Sequence, residues 1–285
     1  MPVHDDLGNR MKEYYENIPK TKLMRREPVI LRLDGRSFHT FSRSFDRPFD
    51  DILIKTMQDT AKYLCENIQG AVLSYQQSDE ISILLIDYKN LDTAAWFDYE
   101  VQKLCSISAS MATLAFNKFF IDNVEDSYQE RVSKLNEEYS KDKIDEEFDK
   151  LEDEYDRYYS RFNKAMFDSR CFNIPKEEVT NYFYWRQLDA TRNSIQMVGQ
   201  SYFSHKELNK KSCNDIQNML LTEKDVNWND YEAYKKRGSC CRRHACIDED
   251  TPDYMKNNWI IDKNIPIFKG EDREYIDGLV YCECE

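Results

Sequence analysis

Val29-Ile30-Leu31-Arg32-Leu33-Asp34-Gly35-Arg36-Ser37-Phe38-His39 is the stretch that decides how this chain folds. Residues 29–33 are apolar apart from Arg32, the composition of a buried strand. Asp34-Gly35 ends the strand, and glycine allows a backbone to approach a ligand closely. Downstream, Ile52, Ile54, Met57, Ala61 and Leu64 recur at helical spacing within residues 50–67, and Gly70 stops that helix. Residues 71–77 and 81–87 are two further strand candidates, separated only by the polar turn Ser78-Asp79-Glu80. A helix rich in Ala, Ser and Met follows at about 94–119. The order β-α-β-β-α opens a ferredoxin-like or palm arrangement. The expectation is an α+β fold, an antiparallel βαββαβ sheet with helices on one face.

Composition bounds the rest. At 285 residues, against roughly 150 per domain, the reading is a single palm-type domain with two appended regions. Residues 123–163 carry Tyr128, Val132, Leu135, Tyr139, Phe148, Leu151, Tyr155, Tyr158 and Phe162 every three or four positions among charges. The rhythm slips between Tyr139 and Ile144, so an acidic helical hairpin is expected over 121–165, turning near Lys141-Asp142-Lys143 and read as solvated, with no chemistry. Residues 177–202 suggest a helix and 204–222 two shorter ones, and 225–285 reads as a basic cluster followed by short strands. Apolar runs such as Ile81 to Ile86 fall far short of the ~20 residues that cross a bilayer, so no membrane is expected. The first residues lack a basic segment followed by an apolar one, which reads as a cytoplasmic protein with its nine cysteines reduced. The net charge of -13 argues against a nucleic-acid partner only until it is located: residues 121–160 hold 15 acids and 6 bases, whereas 20–47 hold 8 bases and 3 acids.

Asp34 at a strand end and Asp79-Glu80 at a hairpin tip would converge at one edge of such a sheet. Clustered carboxylates repel unless a hard cation neutralises them, and oxygen donors with open water positions suit Mg²⁺. That geometry supports two-metal phosphoryl transfer, with Arg32, Arg36, Arg43 and Arg47 adding positive charge for a triphosphate or an RNA backbone.

Arg32-Leu33-Asp34-Gly35-Arg36-Ser37-Phe38-His39-Thr40-Phe41, Arg47-Pro48-Phe49-Asp50 and Ser74-Tyr75-Gln76-Gln77-Ser78-Asp79-Glu80-Ile81-Ser82 resemble the two signature blocks of the tRNA-His guanylyltransferase family. Phe167-Asp168-Ser169-Arg170 is similar to its third block. The resemblance implies a palm domain run in the reverse direction, which activates the 5′ end of a tRNA and attaches a nucleotide through its 3′-hydroxyl. It implies that Asp34 and Asp79 bridge two Mg²⁺ ions, that the Gly35 carbonyl joins one of them, and that Glu80 supports the cluster. Arg36, Ser37, Phe38 and His39, with Ser78, would cradle GTP or ATP, and Arg47 would meet the activated 5′ end. Lys236 and Arg237 resemble a basic element that holds triphosphate. Where family members that read the histidine anticodon carry an Asn-rich motif, this chain has Arg192-Asn193-Ser194, of which Asn193 fits. That pattern resembles the prokaryotic guanylyltransferase-like branch, whose members repair 5′-truncated tRNAs. Relatives form tetramers, so a homotetramer is implied.

Cys240, Cys241, His244 and Cys246, with Cys282 and Cys284, match zinc by residue type but not by spacing, and buried thiols are the favoured reading. The same sequence features allow two alternative functions, a palm-type nucleotide cyclase and a non-catalytic RNA-binding protein.

Overall fold

The computed structural model describes residues 5–138, 141–247 and 255–281. After α1 (Asp6–Met11) come β1 (Val29–Gly35), the single-turn α2 (Phe38–Phe41) and α3 (Asp51–Asn67). The hairpin β2 (Ala71–Gln77) and β3 (Glu80–Leu85) leads through a long α4 (Val101–Glu138) and α5 (Lys141–Tyr159) to β4 (Phe167–Asn173). The remainder is α6 (Lys176–Tyr202), α7 (His205–Leu208), α8 (Cys213–Lys224), α9 (Ala233–Arg237), β5 (Ser239–Ile247), β6 (Met255–Asp262) and α10 (Glu274–Val280). The expected βαββαβ order is present, and β5 and β6 extend the sheet to the order β4-β1-β3-β2-β5-β6, antiparallel throughout.

Helices cover both faces of the sheet, not one as the sequence suggested. In β1, Val29, Leu31 and Leu33 turn to one side and Ile30 to the other, and all four are fully buried. A strand apolar in both phases needs cover on both faces. On one side Met57, Ala61 and Leu64 of α3 and Leu104, Ala112, Phe116 and Phe120 of α4 form the larger core. On the other, Val179, Tyr182 and Phe183 of α6 and Ile276 and Val280 of α10 pack on Ile30, Leu73, Tyr75 and Leu84. A third cluster, Ile195, Val198, Phe203, Ile216 and Leu220, joins α6 to α8.

Local chemistry sets the element ends. Asp50 caps α3, its Oδ1 accepting from the Leu53 amide at 2.7 Å. After Asn67 the chain extends and Gly70 takes φ +82, the left-handed turn that suits a residue without Cβ. By length and composition α4 could cross a membrane, with a window of mean hydropathy 1.4 within Val101–Leu135, longer than the apolar runs counted from the sequence. Its apolar stripe is instead packed on the sheet.

The acidic hairpin forms as two helices, with 139 and 140 outside the described residues. It is not a solvated appendage. Leu151 and Tyr158 of α5 are only 3% exposed, and the Tyr128 and Tyr155 rings meet across the pair at 4.8 Å, tilted by 51°. The C-terminal region departs from the expected run of short strands: Ile265 and Phe268 are buried outside any strand, and 274–280 is helical. Conversely, the basic cluster at Arg242 and Arg243 lies in a strand. Arg242 covers the Tyr275 ring at 4.3 Å and Arg243 the Trp259 ring at 5.1 Å.

Candidate active site

The strand register gathers acids at one end of the sheet. Asp34 is the cross-strand partner of Glu80 on β3 and of Asp168 on β4, so three carboxylates share a row on one face. Asp79 stands beside them in the turn, where Ser78 has φ 49 and the Gly35 amide donates to the Asp79 carbonyl at 3.0 Å.

Two of these acids are neutralised by protein cations. Arg186, reaching from α6, donates Nε to Glu80 Oε1 at 2.7 Å and Nη2 to Glu80 Oε2 at 2.9 Å. Arg32 adds a contact to Oε2 at 2.6 Å. Burial raises the Glu80 carboxyl above its ordinary value, and the two guanidiniums offset only part of that rise. Glu80 thus converges with Asp34 as expected, but arginines hold its charge. Asp168 pairs with Arg170 at 3.1 Å. Asp34 and Asp79 have no such partner among the described residues. Burial, with the Asp34 charge adding to it, pushes the Asp79 carboxyl up to about 6.

Among the described residues, no group of three His, Cys, Asp or Glu side chains is arranged to hold a metal ion. The two unpaired carboxylates and the Gly35 carbonyl nevertheless fit Mg²⁺, which is commonly held by one or two carboxylates and completed by substrate phosphates and water. A Cβ on Gly35 would lie 2.3 Å from the Phe38 ring, so only glycine fits there.

A cleft of about 310 Å³ opens beside Asp79, walled by Phe38, His39, Arg47, Asp50, Ser78 and Met197. His39 and Arg47 are exposed, whereas Phe38 is also a core residue, stacked on Phe41 at 4.9 Å. Ser37 caps α2 at φ 58, and Arg36 is exposed, its amide donating to the Met166 carbonyl at 2.8 Å. A smaller cavity of about 90 Å³ adjoins it through Ser78 and is lined by Asn193 and Lys235. Within the basic run, Lys236 donates to the Asn229 carbonyl at 2.5 Å and covers the Trp228 ring, away from both cavities. Arg237 keeps a buried Nε without a partner. Cys240 and Cys241 are buried free thiols, and Cys282 and Cys284 of the zinc-like set lie outside the described residues.

Sequence reasoning missed Arg186, Asp168 and Asp50 as parts of this site. Arg186 carries no local signal, because its partner Glu80 is 106 residues away. Asp50 was visible as a cap signal, an Asp directly before a helical run.

The family model for tRNAHis guanylyltransferase matches residues 8–175. The tRNA(His) guanylyltransferase of Saccharomyces cerevisiae is 26% identical over 233 residues, 77% of this chain and 84% of that protein. An uncharacterized protein of Acanthamoeba polyphaga mimivirus is 25% identical over 93% of this chain and 85% of its own length. A bacterial tRNA(His) guanylyltransferase-like protein, solved in complex with ATP, is 39% identical and superposes with a TM-score of 0.77, covering 97% of this chain and all of that one. A similar bacterial structure in complex with GTP gives 37% identity and a TM-score of 0.71, over 97% of this chain and 100% of that chain. The chain belongs to the tRNAHis guanylyltransferase family.

Proposed function

We propose that this enzyme adds guanylate from GTP to the 5′ end of a tRNA, growing the strand 3′ to 5′ after that end has been activated by ATP or GTP. The observation that carries the proposal is the pairing of two carboxylates without a cationic partner among the described residues, Asp34 at the end of β1 and Asp79 on the wall of a cleft, beside two acids of the same end that arginines already hold. Two neighbouring carboxylates without a cationic partner among the described residues fit a divalent ion and the phosphates it accompanies. The family assignment, and the bacterial relatives described as complexes with ATP and GTP, support the nucleotide as substrate.

Asp34, Asp79 and the Gly35 carbonyl would hold Mg²⁺, which, when bound, supplies charge for the developing phosphoryl transition state. Arg47 and His39, exposed on the cleft wall, offer positive charge and donors to the triphosphate or the activated 5′ phosphate. Glu80 does not bind metal in this scheme. It anchors Arg32 and Arg186 and keeps their charge from collapsing onto Asp34.

The prokaryotic-like reading of Arg192-Asn193-Ser194 accords with the 39% identity to the bacterial guanylyltransferase-like protein and favours 5′-end repair over exclusive action on tRNA(His). A cytoplasmic homo-oligomer is part of the same proposal. Exposed Leu7, Tyr14, Tyr15 and Ile18 near the N-terminus accord with contact between subunits. The test is incubation with labelled GTP, ATP and a 5′-monophosphorylated tRNA. Label at the 5′ end of a lengthened tRNA is expected; cyclic nucleotide formed without RNA, or no product, would overturn the proposal.

A further inference from the structure

The 42–50 loop between α2 and α3 supplies Phe45, Asp46, Arg47, Pro48 and Asp50 to the cleft wall. Loops owe their geometry to what ties them down, and this one is tied by the helical hairpin. Tyr158 near the end of α5 donates its hydroxyl to Asp50 Oδ2 at 2.7 Å. The same oxygen accepts the Asp46 amide at 3.1 Å, while Oδ1 caps α3. One buried carboxylate therefore joins helix, loop and hairpin. The Tyr158 ring packs on Phe45 at 4.8 Å, and the neighbouring Arg157 donates to the Ser44 carbonyl at 3.3 Å. Behind this contact the hairpin is braced by Tyr128 on Tyr155 and by the Arg131–Glu154 ion pair.

We propose that the α4–α5 hairpin sets the shape of the nucleotide cleft through Tyr158, a positioning residue that acts by fixing Asp50 and the 42–50 loop. The inference rests on reading the cleft as the nucleotide site. Removing the hydroxyl leaves Asp50 one donor short in a buried position and frees the wall that carries Arg47. The reacting carboxylates, anchored in β1 and the β2–β3 turn, are left in place. The effect therefore falls on nucleotide affinity and not on the chemical step.

Tyr158→Phe keeps the ring packing against Phe45 and Phe120 and removes only the hydrogen bond. GTP binding with Mg²⁺, read by calorimetry, should weaken about tenfold, equivalent to about 1.4 kcal/mol, with a matching rise in the KM for GTP and kcat within about twofold. Arg131→Ala, which loosens the hairpin away from the loop, should lower the melting temperature without moving KM. If Tyr158→Phe binds GTP as the wild type does, or lowers kcat with KM unchanged, the hairpin does not position the cleft. If the wild-type protein fails to bind GTP, the reading of the cleft falls and this inference with it, a result distinct from equal binding by both.

Discussion

Asp79→Asn should end nucleotide transfer and at the same time make the metal-free protein more stable. In the fold the Asp79 carboxyl is raised from 3.8 to about 6, chiefly by burial and further by Asp34. Each tenfold change in proton affinity is about 1.4 kcal/mol, so the ionised side chain costs the folded state up to about 3 kcal/mol at neutral pH. Partial solvent access lowers that to a working range of about 1–3 kcal/mol. Because the folded carboxyl titrates above the unfolded one, the native state holds the extra proton between pH 3.8 and about 6. Stability from this group is therefore greatest in acid, falls as pH rises through that window, and stays low above it. An amide has no charge to bury. Thermal unfolding without metal at pH 7.5 should show the variant melting higher by about 2–6 °C, with the two proteins converging by pH 4. Mg²⁺ should raise the wild-type melting temperature and leave the variant unmoved. The reasoning fails if Asp79→Asn is no more stable at pH 7.5, or if Mg²⁺ stabilises both proteins equally.

Other perturbations separate the parts of the site. Transfer activity should fall as pH drops below about 6, where Asp79 takes up a proton, and higher Mg²⁺ should move that limb to lower pH in steady-state rates. Gly35→Ala forces a methyl against the Phe38 ring; kcat should fall at least about tenfold and stability by about 1–3 kcal/mol, read by urea titration. Arg186→Met leaves the buried Glu80 carboxylate with Arg32 as its remaining ion-pair partner and should cost about 1.5–3 kcal/mol, part of it recovered in the double variant with Glu80→Gln, also by urea titration.

How much of this was legible in the sequence depends on how far apart the partners lie. The strand-then-Asp-Gly motif at 29–35 and the acid pair in the 77–80 turn were readable because each is a local signal, and antiparallel pairing brings Asp34 opposite Glu80. Helix α3, with its stop at Gly70, was readable for the same reason. The charge state of the site was not: Arg186 sits on a helix whose sequence gives no sign that it faces inward, and Glu80 is discharged by it over a long chain separation. The second helical layer was hidden in a strand whose alternate residues are all apolar, a pattern that says "buried" without naming the cover. In the acidic hairpin the charges dominate the composition, while its function rests on a single buried tyrosine at its base. Strand β5 was masked by its arginines, whose stems lie along aromatic rings.

The most direct test of the central claim is anomalous diffraction from crystals grown with GTP and Mn²⁺ in place of Mg²⁺. A manganese peak is expected within about 2.2 Å of carboxylate oxygens of both Asp34 and Asp79 and in contact with the triphosphate, with Glu80 still bound to Arg186. A manganese peak remote from Asp34 and Asp79, or triphosphate bound with those two carboxylates turned away from it, would contradict it.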